Sequence, residues 1–97
     1  MTMKKVQTLK LIDGEFSAQD AKEVLMSLYS SKLNFHQMKD FSSTERFGKN
    51  DETAIKRIPE LKESMTVIAA IIQEATDTKN NLLVTASVNI EFAGIKK

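Results

Sequence analysis

The chain has 97 residues, 41% of them hydrophobic and 28% charged, and its 14 basic and 13 acidic side chains leave a net charge of +1. Such totals describe one ordinary globular domain with a thin core, and near-neutrality argues against a dedicated nucleic-acid binder. The absence of cysteine excludes disulfides, cysteine-zinc sites and thiol catalysis.

The opening "MTMKKVQTLKLIDGEF" is too often interrupted by polar residues to act as a signal peptide. No apolar run approaches a membrane span, so a cytoplasmic, membrane-free protein is expected. Leu9 and Leu11 alternate with Thr8 and Lys10, which predicts a strand over about 5–12 closed by a turn at Asp13-Gly14. Val6 and Ile12 fall outside that alternation.

Ser17 is placed to cap a helix, with Asp20 at the third position after it. Ala21, Val24, Leu28, Phe35 and Met38 then follow steps of three and four, with Ser31 at the skipped position and Leu25 widening the stripe. The spacing predicts an amphipathic helix over about 18–40. Met38 is expected as core filler, Met26 as exposed or in a dimer contact, and Tyr29 at the core edge or an interface. His36, the single histidine, is expected at the surface or boundary, with neither a serine nucleophile nor a metal-ligand set beside it.

Residues 41–51, "FSSTERFGKND", are expected to connect two helices. Phe41 would close the core end, Phe47 would fold beneath the connection, and Gly48 would supply the turn. The "GKND" run lacks the glycine spacing, the following Ser or Thr and the leading strand of a phosphate loop. Asp51 and Glu52 suit the start of a second helix. Ala54, Ile58, Leu61, Met65, Ile68, Ile72 and Ala75 step by four and three, predicting a helix over about 52–78, bent near Pro59, with one seam turned to a partner helix. Last, Leu82, Val84, Ala86, Val88, Ile90 and Phe92 alternate with mainly polar residues, predicting a half-buried strand over about 82–92.

The expected architecture is a single α+β domain, β-α-α-β, with a long antiparallel helical hairpin packed on a small antiparallel sheet. Two strands alone are marginal in water and leave two free edges, which points to a homodimer with a continuous four-stranded sheet. No catalytic, cofactor-binding or metal-binding residues are expected. The function predicted is a non-catalytic interaction or structural module, docking an unidentified protein partner through Arg46, Phe47, Lys49, Lys56 and Arg57 or through a strand edge. The alternative is nucleic-acid association through a basic end gathering Lys4, Lys5, Lys96 and Lys97 beside the hairpin tip.

Overall fold

The structure, a computed structural model, describes residues 6–94. Four elements follow one another: β1 (Val6–Phe16), α1 (Ala18–Phe47), α2 (Glu52–Thr78) and β2 (Leu82–Glu91). The strands pair antiparallel from Val6 opposite Glu91 to Phe16 opposite Leu82. The helices pack on each other as an antiparallel hairpin, so the expected β-α-α-β order and α+β class are observed.

Both helix starts are capped as their sequences require. The Asp20 amide donates to Ser17 Oγ at 3.1 Å, and the Ala54 amide donates to Asp51 Oδ2 at 2.9 Å, each satisfying an N–H that has no partner within its helix. The α2 stripe meets the seam as spaced, with Ala54, Leu61, Ile72 and Ala75 buried and Ile58, Met65 and Ile68 half-buried. Pro59 removes the hydrogen bond to the Ile55 carbonyl, but α2 runs through it as one helix.

Three expectations need correction. First, α1 continues past residue 40 to Phe47, so the connection is residues 48–51 rather than 41–51. Ser42, Ser43 and Thr44 suggest a turn, but Ser43 is half-buried and its hydroxyl donates to the Lys49 carbonyl at 2.8 Å. Tertiary anchoring overrides weak local propensity here. The helix ends at Gly48, whose φ of 68° suits a residue without Cβ and whose amide donates to the Thr44 carbonyl at 3.0 Å.

Second, β1 passes through Asp13-Gly14 instead of turning there. A β-bulge between Lys10 and Ile12 makes this workable. Lys10 and Asp13 would lie on opposite faces of a regular strand, but the extra residue brings them to one face, and Lys10 Nζ meets Asp13 Oδ2 at 3.0 Å. The same bulge explains the broken alternation. Leu9 opposite Val88 and Ile12 opposite Ala86 share the apolar face, on either side of the inserted Leu11.

Third, the α1 surface turned to α2 keeps Ala21 and Leu25 of the expected stripe but not Leu28, Phe35 and Met38. Leu28, Phe35, Met38 and Phe41 are exposed, whereas Ala21 and His36 are buried and Leu25, Tyr29, Leu33, Asp40 and Ser43 are half-buried. These last seven residues, spaced by three and four, form the seam. Met38 and Phe41 therefore fill no core.

The hairpin and the two-stranded ribbon meet near their junction and then diverge. A tight stack of these elements would be roughly 50 Å long and about 15 Å in each other direction. The molecule measures 53 × 41 × 15 Å, so the ribbon leaves the hairpin at a wide angle.

Candidate interaction surfaces

The hairpin tip is held by Asp40. Its carboxylate accepts both Asn50 Nδ2 contacts at 3.1 Å and the Asp51 amide at 2.8 Å. In many helices a glutamate or glutamine three residues beyond the cap reaches back to the cap's amide. Here that position is Ala54, and α1 supplies the acceptor instead.

Of the five residues expected to form one surface, Arg46, Phe47 and Lys49 lie at the hairpin tip, whereas Arg57 lines a cleft farther along α2. Arg46 and Phe47 close α1, and with Lys39, Ser42, Ser43 and Asp51 they line a shallow depression on one side of the tip. Lys49 lies in a second depression with Ser43, Asn50, Asp51, Glu52 and Thr53. Phe47 is 70% exposed and does not fold beneath the connection. Arg57 pairs with Glu60 and turns into the cleft between the hairpin and the ribbon; Lys56 is exposed on α2. Lys4, Lys5, Lys96 and Lys97, expected beside the tip, lie outside the described residues.

A mainly apolar cleft separates the hairpin from the ribbon. It occupies about 350 Å³ between Leu11, Ile12, Val84 and Ala86 of the ribbon and Leu25, Leu28, Tyr29 and Leu61 of the hairpin, with Lys32 and Arg57 at its polar margin. Beyond it both walls continue as uncovered apolar surface. On the ribbon these residues are Leu9, Val88 and Ile90, and on α1 they include Phe35, 52% exposed, and Met38. Lys32 Nζ and Lys39 Nζ stand 5.3 and 6.0 Å from the Phe35 ring centroid, within range of a cation–π attraction.

His36 departs from its expected place at the surface or boundary. It is buried in the helix seam, where the Phe35 ring meets its own edge-on at 5.3 Å and its Nε2 has no hydrogen-bond partner among the described residues. An unsatisfied buried polar atom costs on the order of 1–3 kcal/mol, which weakens the hairpin near its tip. In the sequence, the run Leu25, Tyr29, Leu33, His36 is spaced as regularly as Val24, Leu28, Phe35 and Met38, but its continuation through Asp40 and Ser43 is polar.

Among the described residues, no three histidine or acidic side chains approach closely enough to hold a cation, and no helix is long and apolar enough to cross a membrane. The geometry offers apolar walls, two free strand edges and a mixed-charge tip, which are features suited to docking. The chain matches no family model, no curated protein and no solved structure.

Proposed function

We propose that this chain is a small, non-catalytic protein-interaction module that works as a homodimer. The observation carrying this reading is its surface. A compact monomer of 10.9 kDa exposes roughly 5,600 Å², whereas this chain exposes 8002 Å². Even with several hundred Å² set aside for the chain ends, the remainder is comparable to the roughly 1,000–2,500 Å² that each protomer of an obligate dimer buries. Among the described residues the ribbon has only two strands, and its open edges support the same reading, because an unpaired strand edge is a template for association.

Size exclusion with light scattering, over a concentration series, tests it. A mass near twice 10.9 kDa is expected down to low micromolar concentration. A monomer throughout the series would overturn the homodimer.

Nucleic-acid association is the weaker proposal. Lys39 and Arg46 line one depression at the tip, but Asp51 shares it and Glu52 lies next along the chain. Binding of that kind would lose affinity steeply with salt and weaken on Arg46→Ala; a salt-insensitive titration would exclude it.

A further inference from the structure

We infer that the second copy covers the two diverging arms reciprocally: the outer half of each ribbon, through Leu9, Val88 and Ile90, lies on the outer half of the partner's α1, at Phe35 and Met38. This inference rests on the homodimer reading and says which surfaces make it.

The chain already contains the contact that the partner would repeat. Near the junction, Leu11 and Ile12 of the ribbon face Val24 and Leu28 of α1. Phe35 and Met38 continue that α1 stripe by steps of three and four. Val88 and Ile90 continue the ribbon face that begins at Leu82, Val84 and Ala86, because alternate residues of a strand share a face. The ribbon stripe closes toward the junction and opens where the arms part, Ile12 being 8% exposed against 51% at Leu9 and 49% at Ile90. Along α1, exposure rises from half-buried Val24 and 38% at Leu28 to 52% at Phe35 and 57% at Met38. Each outer half is thus an apolar surface of the kind its inner half already packs against.

Area decides between this arrangement and pairing of strand edges alone. Edge pairing joins backbone N–H and C=O groups and extends the sheet, but it leaves the apolar side-chain faces uncovered. The excess surface of this chain favours an arrangement that covers a face. Ribbon on α1, repeated by a two-fold axis as α1 on ribbon, does so twice with one pair of patches, the self-complementary arrangement of a dimer interface. Lys32 and Lys39, flanking Phe35, would then form its polar rim.

Because the native chain has no cysteine, engineered thiols report on this interface alone. Val88→Cys and Phe35→Cys chains, each checked for the native circular dichroism spectrum, would be mixed, co-refolded and oxidised. Cross-linked heterodimer several-fold above the cross-linking of either variant alone is expected, and the second pair, Ile90→Cys with Met38→Cys, guards against one substitution failing to fold. Cross-linking of Val88→Cys to itself at the higher yield would place ribbon against ribbon and overturn the inference. A protein that is dimeric by light scattering yet forms no mixed cross-link with either pair would overturn it and leave the homodimer standing. A monomer would remove both.

Discussion

Leu61→Ala is expected to lower the unfolding free energy by about 3 kcal/mol, as large-to-small changes at packed apolar sites do. Leu61 is only 4% exposed, lies in the α2 seam and also lines the cleft below the ribbon. Removing three of its carbons loosens the helix seam and one of the regions where hairpin and ribbon meet. Ile55→Ala is the control: Ile55 lies on the same helix but is 56% exposed, and it should cost less than about 1 kcal/mol. Urea unfolding of both variants at one fixed protein concentration gives the comparison, since the proposed dimerisation would make stability concentration-dependent. Equal losses would mean that the seam does not run through Leu61.

Asp40→Ala is expected to cost about 2 kcal/mol, the scale of hydrogen bonds to a charged group. The loss has a specific route. The Asp51 amide that Asp40 accepts is part-buried, and without Asp40 nothing else on α2 is placed to accept it, because Ala54 occupies the position from which a longer polar side chain would reach back. Asn50→Ala removes the two exposed contacts to the same carboxylate and should cost under about 1 kcal/mol. The same urea series separates the two variants. Asn50→Ala matching or exceeding Asp40→Ala would show that the exposed amide, rather than the α2 cap, is what Asp40 holds.

Much of the fold was legible in the sequence because the relevant signals are local. Ser17 and Asp51 cap helices within three residues of themselves, and the α2 stripe contains enough apolar residues on one side to leave no alternative. The polar residues Thr85, Ser87, Asn89 and Glu91 are likewise all exposed on the solvent face of β2. Of the candidate surface, Arg46, Phe47 and Lys49 lie at the hairpin tip, whereas Arg57 lines the cleft between hairpin and ribbon, which exists only in the tertiary structure.

By itself, then, the sequence determined the order of the elements, both helix caps, the whole of α2 and the two faces of β2. The tertiary structure alone decided the rotation and length of α1, the path of β1 through Asp13-Gly14, and the angle between the arms. The physical reason is common to all three. α1 has apolar residues on two sides, and only packing against α2 selects Leu25, Tyr29, Leu33 and His36 over Leu28, Phe35 and Met38. A bulge is a property of two strands in register and has no signature in one. The divergence of the arms depends on how much of each apolar stripe finds a partner within the chain, and Phe35, Met38, Val88 and Ile90 stay exposed, which no local pattern in the sequence announces.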